Sequence, residues 1–208
     1  MIEQGSPEWF AARCGKATAS KISDIIAKTK SGPSASRRNY EAQLVAERLT
    51  GAVAESFTSG AMQWGTDTEP QARSAYGFQY GVEVDQIAFV DHPKIAMSGA
   101  SPDGLVGDEG LLEIKCPQTA THIDMLLTGK IDGKYITQMQ WQMACTGRKW
   151  CDFVSFDPRL PVDLQLFCKR VERDQATIIH LETEVSAFLR EVSDKVSALQ
   201  ALMIGEAA

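Results

Sequence analysis

Residues 101 to 117 read SPDGLVGDEGLLEIKCP: an acid, Asp103, precedes a glycine turn, and a second acid and a lysine, Glu113 and Lys115, follow two positions apart. If GLLEIK is a strand, Glu113 and Lys115 share one face, because side chains alternate with period two, and Leu112 and Ile114 point the other way. The GDEG stretch folds the chain into a hairpin that returns Asp103 beside Glu113. Two converging carboxylates repel, and a divalent cation relieves that repulsion. Oxygen ligands without His or Cys suit Mg²⁺ or Mn²⁺ rather than zinc. The Ile114 carbonyl, between the two strand side chains, is a further candidate ligand. In WGTDTEPQAR, Glu69 is a candidate third acid and Asp67 its competitor.

The chemistry this set suits is phosphodiester hydrolysis, in which bound cations polarise the phosphate and generate the nucleophile. Lys115 either deprotonates the attacking water, if burial lowers its pKa, or stabilises the transition-state charge. An acid and a lysine two apart also occur as the solvated end of an ordinary hairpin. The rest of the chain must therefore decide.

The composition bounds that decision. A chain of 208 residues with 44% hydrophobic and 23% charged residues is long enough for one domain with a real core. No apolar run approaches the roughly 18 residues of a membrane span, and MIEQGSPEWF lacks the regions of a signal peptide. Five cysteines without a C-x-x-C pair fit a reducing cytoplasm, and three scattered histidines show no zinc spacing. The net charge of -6 is uneven: residues 1–50 carry eight Lys/Arg against five Asp/Glu, and the remainder thirteen against twenty-two. A locally basic lining still suffices to grip a phosphate backbone.

Several elements must position the acids and the lysine. GSPEWFAAR reads as a helix start with Ser6 as N-cap and Pro7 at the first helical position. TASKISDIIAK reads as a second short helix capped by Thr18 or Ser20, and KTKSGPSASRR (28–38) as a mobile loop. Helical spacing recurs over 39–50, 66–76 and 133–146, and a long amphipathic helix over 174–203 covers one face of the sheet. VEVDQIAFV (82–90), KIAMSG, GLLEIK, CDFVSFD and LQLFCKRV read as strands. The sum is an α/β (α+β) domain with a mixed central sheet flanked by helices.

The five blocks RCGKATAS, WGTDTEPQAR, SPDGL, LEIKCP and TQMQWQMACTG, in this order, resemble the PD-(D/E)XK nucleases of the lambda exonuclease-like, YqaJ-type viral recombinase family. The resemblance covers most of the chain and implies a single nuclease domain. Within it, 1–60 is a DNA-end-binding part, 61–171 the catalytic core and 172–208 the C-terminal helix. It implies a Mg²⁺-dependent exonuclease, with Mn²⁺ substituting and Ca²⁺ not supporting turnover. Such an enzyme digests one strand of linear duplex DNA from its 5′ end to mononucleotides and leaves a 3′ single strand for recombination. It also implies a homotrimeric ring, a single-strand annealing protein as partner, and the host cytoplasm as location.

By the same resemblance Asp103, Glu113, Glu69 and the Ile114 carbonyl hold metal and Lys115 is the catalytic lysine. Arg13, Ser20, Ser101 and Gln138 hold the 5′ phosphate, for which a guanidinium fork, hydroxyls and an amide are suitable donors. Gln140 is placed at the active site and Trp141 in the core. The basic stretch with Lys28, Lys30, Arg37 and Arg38 either meets DNA at the ring entry or is a solvated loop. Two rivals remain: an endonuclease of related fold, and an inactive DNA-binding or assembly module. Cys116 reads as a buried strand-end thiol.

Overall fold

The structure, a computed structural model, describes residues 4–30, 32–54 and 59–205. Its chain order begins with α1 (Pro7–Arg13), β1 (Ala17–Thr18), a 3-10 turn (Ala19–Lys21) and α2 (Ile22–Ile26). A small hairpin, β2 (Lys28–Thr29) and β3 (Gly32–Pro33), leads to α3 (Ala35–Thr50) and α4 (Gly60–Tyr80). Then come β4 (Val84–Asp85), β5 (Val90–Asp91), β6 (Ser98–Ala100), β7 (Gly104–Val106) and β8 (Gly110–Lys115). The chain closes with α5 (Thr119–Thr128), α6 (Gly133–Thr146), β9 (Trp150–Phe156), β10 (Leu166–Glu172) and α7 (Gln175–Gly205).

The main sheet has the order β10-β9-β8-β7-β4, in which β8 and β9 run parallel and the other neighbours antiparallel. Both faces of β8 are covered. Leu112 and Ile114 pack with Ala72 and Tyr76 of α4, whereas Leu111 packs with Met125 of α5 and Met139 and Met143 of α6. Such a strand reads as nearly continuous apolar sequence, and Glu113 in its middle is the exception that asks for a reason. Gly110 permits the β8–β9 pairing at its start, because a Cβ there would lie 2.1 Å from the Trp150 ring.

Ser6 caps α1 by accepting from the Trp9 amide, and Pro7 opens the helix, as its sequence predicts. Other expectations are corrected. Neither Thr18 nor Ser20 caps α2 through its side chain; Thr18 ends β1 and Ser20 lies in the 3-10 turn before the helix. The 28–38 stretch is the β2–β3 hairpin followed by the first turn of α3, which Ser34 caps. VEVDQIAFV does not form one strand, since β4 joins the main sheet and β5 pairs with β6 in a second sheet, β1-β6-β5. KIAMSG contributes only its end to β6, after Met97 turns the chain at φ 60. Helix α4 starts six residues before the apolar periodicity at 66, where Ser59 caps it.

Helix α7 does not lie flat on the sheet. It packs against α2, α3 and α6, where Leu181, Val185, Phe188 and Val192 share a core with Ile22, Leu44 and Trp141. Only its first turns, through Ile178, reach the cluster on the sheet. Among the described residues no helix is long and apolar enough to cross a membrane.

Candidate active site

The β7–β8 hairpin, turning at Gly107 with φ 52, returns the chain so that the Asp103 N–H donates to the Leu112 carbonyl at 3.1 Å. The Asp103 carboxylate then accepts the Ile114 N–H at 2.6 Å. Asp103 and Glu113 are thereby neighbours. Burial first, and the Glu113 carboxylate second, push Asp103 well above the usual carboxylate range, against the pull of Lys115.

Glu113 is fully buried, and both of its oxygens are engaged. Oε1 accepts from Gln138 Nε2 at 2.7 Å and from the Lys115 ammonium; Oε2 accepts from Gln142 Nε2 at 2.6 Å. Helix α6 thus reaches across the sheet face to grip the one acid in the middle of β8. Lys115 lies 5.4 Å from the centroid of the Tyr135 ring. Burial draws the lysine down, but the Glu113 and Asp103 carboxylates outweigh it and hold the ammonium above its ordinary value. The condition under which Lys115 would deprotonate water, a pKa lowered by burial, is therefore not met with these carboxylates uncompensated.

Glu69 comes from α4, at a cleft of about 450 Å³ that Ile114, Lys115, Cys116 and Tyr135 also line. It is paired with Arg73 one helical turn on, and Arg73 Nε donates to the Asp103 carbonyl at 3.1 Å. Burial raises Glu69, and Arg73 opposes the rise. Asp67 is exposed and accepts from Gln63 at 2.8 Å, so of the two acids only Glu69 faces the cleft. Burial, followed by Glu69 and Asp103, pushes the Cys116 thiol up to about 12, as befits an inert buried thiol.

Asp103, Glu113, Glu69 and the Ile114 carbonyl are the oxygens that could hold a hard cation here. Among the described residues no three His, Cys, Asp or Glu side chains form a ready metal cluster. The geometry gives the reason: Glu69 is turned to Arg73, and part of the oxygen set is main chain.

A second group lies two residues upstream of Asp103. Ser101 Oγ accepts from Trp9 Nε1 at 3.0 Å and from Arg13 NH1 at 3.2 Å, and the Arg13 guanidinium stacks 4.0 Å from the Trp9 ring centroid. Burial lowers Arg13 from its ordinary value, with Tyr40 and Glu47 opposing; an arginine remains a cation all the same. Arg13 and the exposed Ser20 line one pocket with Trp9, Phe10 and Lys21. Arg13, Ser20 and Ser101 thus come to one region, while Gln138 engages Glu113.

One expectation about the site is corrected. Gln140 points away from it: its Nε2 donates to the Glu172 carbonyl at 2.8 Å, and its Oε1 accepts the Asp174 N–H at 2.9 Å. In the basic stretch, Lys28 pairs with Glu184 and Arg37 with Glu191 on α7, while Arg38 donates to the Pro33 carbonyl. Lys30 stands exposed at the β2–β3 turn. Trp141 is fully buried, as expected of a core residue.

The sequence reading missed Arg73 and Gln142. Arg73 falls at i+4 from Glu69, the spacing of a helical ion pair. Gln142 falls at i+4 from Gln138 and so shares its helix face.

The YqaJ-like viral recombinase domain family matches residues 8–149. The alkaline exonuclease LHK-Exo from Laribacter hongkongensis is 54% identical, with a TM-score of 0.90 over 98% of this chain and 100% of that one. The same protein in complex with dAMP gives the same figures. A phage related exonuclease from Haemophilus somnus 129PT shares the fold at 17% identity, with a TM-score of 0.72 over 88% of this chain and 96% of that one. A search of curated proteins found no match. With the acids, the lysine and the hairpin in place, the chain belongs to the YqaJ-like viral recombinase family of PD-(D/E)XK nucleases.

Proposed function

We propose that this nuclease is a Mg²⁺-dependent exonuclease that digests one strand of linear duplex DNA from its 5′ end to mononucleotides, leaving a 3′ single strand. One observation carries the reading: Asp103, Glu113 and Lys115 converge two residues from Ser101, which Arg13 holds from α1. A hydrolytic centre and an anion-binding group are thereby coupled through one short segment. A related alkaline exonuclease was solved with dAMP, a nucleoside monophosphate and hence of the product class of such a reaction.

The donor set fits a hard divalent cation, because Asp103 is crowded against Glu113, a second buried carboxylate that accepts from Lys115, Gln138 and Gln142. When bound, Mg²⁺ supplies Lewis acidity and a nucleophilic water. The chain supplies the rest. Lys115, beside Glu113 at the cleft, orients the water and, as an ammonium, donates to the negative charge that develops on the phosphate. Arg13, Ser20 and Ser101 donate to the terminal phosphate and fix which phosphodiester faces the acids. Family membership further supports a homotrimeric ring, action with a single-strand annealing protein, and a cytoplasmic setting; size exclusion with light scattering tests the trimer.

The test uses linear duplex DNA with one 5′-phosphorylated strand, each strand carrying its own label, beside a closed circle. With Mg²⁺, the phosphorylated strand is lost as mononucleotides, the circle stays intact, and EDTA stops the reaction. Cutting of the circle would transfer the chain to the endonucleases. Binding without cleavage in Mg²⁺ or Mn²⁺ would leave it a DNA-binding module.

A further inference from the structure

Gln142 is wholly buried on α6, and its Nε2 donates to Glu113 Oε2 at 2.6 Å. Its own Oε1 is buried without a hydrogen-bond partner. An orphaned amide oxygen in a core is costly, and an apolar side chain of similar size would avoid the cost. The amide cannot turn over to relieve it, because that would set Oε1 against the Glu113 carboxylate. The other Glu113 oxygen is shared by Gln138 and Lys115. Both of those groups lie at the half-buried side of the site, whereas Gln142 holds Glu113 from the buried side.

We propose that Gln142 is a positioning residue. It anchors Glu113 Oε2 so that the carboxylate keeps one orientation toward Asp103 while Gln138 and Lys115 exchange partners at Oε1. The inference rests on the nuclease reading above. Partners of this kind, which orient a ligating carboxylate, typically change metal affinity by about 10- to 100-fold when removed.

The experiment compares wild type, Gln142→Met and Gln140→Met. Gln142→Met keeps the length and removes the donor. Gln140→Met removes an equally buried amide from the same helix, one that serves Glu172 and Asp174 instead. Calorimetric titration with Mn²⁺ in the absence of DNA reads metal affinity, and DNA binding in Ca²⁺ and thermal melting are read alongside. Gln142→Met is expected to weaken Mn²⁺ binding about tenfold or more and to raise the Mg²⁺ needed for half-maximal cleavage, with DNA binding little changed. Gln140→Met is expected to lower the melting temperature but not Mn²⁺ affinity. If Gln142→Met does not fold, Gln142→Asn, whose shorter amide cannot reach Glu113, replaces it. Unchanged Mn²⁺ affinity in the folded variant overturns the inference and leaves the nuclease reading standing. A wild-type chain that neither binds Mn²⁺ nor cleaves DNA overturns both.

Discussion

The Asp103 carboxylate accepts the Ile114 N–H across the β7–β8 hairpin, at 2.6 Å. The peptide unit between Glu113 and Ile114 is thus fixed by the first acid, and the second acid is fixed by the same strand. Hairpin register, and not flexible side-chain reach, sets the separation of the two carboxylates. Five expected outcomes follow from this arrangement and its surroundings.

Lys115→Ala should lower turnover by at least about 10²-fold, the scale of losing one charge-stabilising donor. DNA binding in Ca²⁺ should persist, because the contacts around Arg13 remain. Single-turnover cleavage beside a gel-shift assay checks both, and near-wild-type cleavage would remove the lysine from the mechanism.

Arg13→Ala should weaken use of 5′-phosphorylated ends by about tenfold or more, the scale of one or two charged hydrogen bonds. The readout is kcat/KM on phosphorylated and hydroxyl ends. An equal loss on both would show that Arg13 braces Trp9 and Ser101 without meeting the phosphate.

Asp103→Asn should abolish cleavage yet stabilise the metal-free protein at neutral pH. The folded-state pKa of Asp103 lies above its unfolded value, so folding favours its protonated form. Its charged form therefore costs stability as pH rises from the ordinary carboxylate range through the raised value. The asparagine keeps an oxygen for the Ile114 N–H. A gain in stability is expected in EDTA at neutral pH, shrinking toward pH 4. Thermal melts at the two pH values read it, and a loss of stability at neutral pH would contradict the electrostatic account.

Asp157 follows the opposite sign. Its hydrogen bonds from Arg159 hold it down to about 2, and Arg159 in turn lies over Trp64 and reaches the Pro117 carbonyl. That stabilisation is full above the ordinary carboxylate pKa and is lost as pH falls through about 2. Asp157→Asn should cost about 1–2 kcal/mol at neutral pH, after discounting for the half-exposed Arg159, and much less near pH 2. Urea melts across that range decide it.

Gly110→Ala should cost stability with no effect on the chemistry of a folded molecule. Its Cβ would lie 2.1 Å from the Trp150 ring at the start of the β8–β9 pairing. Overpacking of this kind typically costs about 1–3 kcal/mol; a neutral melting temperature would mean that Trp150 swings aside freely.

Much of the site was legible because its signals are short-range. The period-two face of Glu113 and Lys115 and the glycine turn before them are local facts, and the hairpin realises both. What escaped was tertiary. Gln138, Gln140 and Gln142 look alike in TQMQWQMACTG, yet helix phase sends the first and third to Glu113 and the second to Glu172 of β10 and to Asp174 just before α7. Helix α5 was not read at all: TATHIDMLLT is short, and its buried His122, bonded to Ser155 and the Leu164 carbonyl, interrupts an apolar pattern. The 82–90 run looked like one strand because β propensity does not record that its ends belong to different sheets. The i+4 spacing of Arg73 from Glu69 was there to be read, but its bond to the Asp103 carbonyl is tertiary.

That arginine has a consequence for the charge of the site. With all five groups ionised, Glu69, Asp103 and Glu113, set against Lys115 and Arg73, leave a formal charge of -1, which the bare site lessens by favouring a proton on Asp103. A phosphodiester also carries one negative charge, so the ionised, metal-free cleft repels the backbone it is proposed to cut. One divalent ion reverses the sign. Metal and DNA then favour each other's binding, and the favour is reciprocal. The Mg²⁺ concentration for half-saturation should therefore fall as DNA ends become more abundant, which makes the substrate an activator of its own hydrolysis.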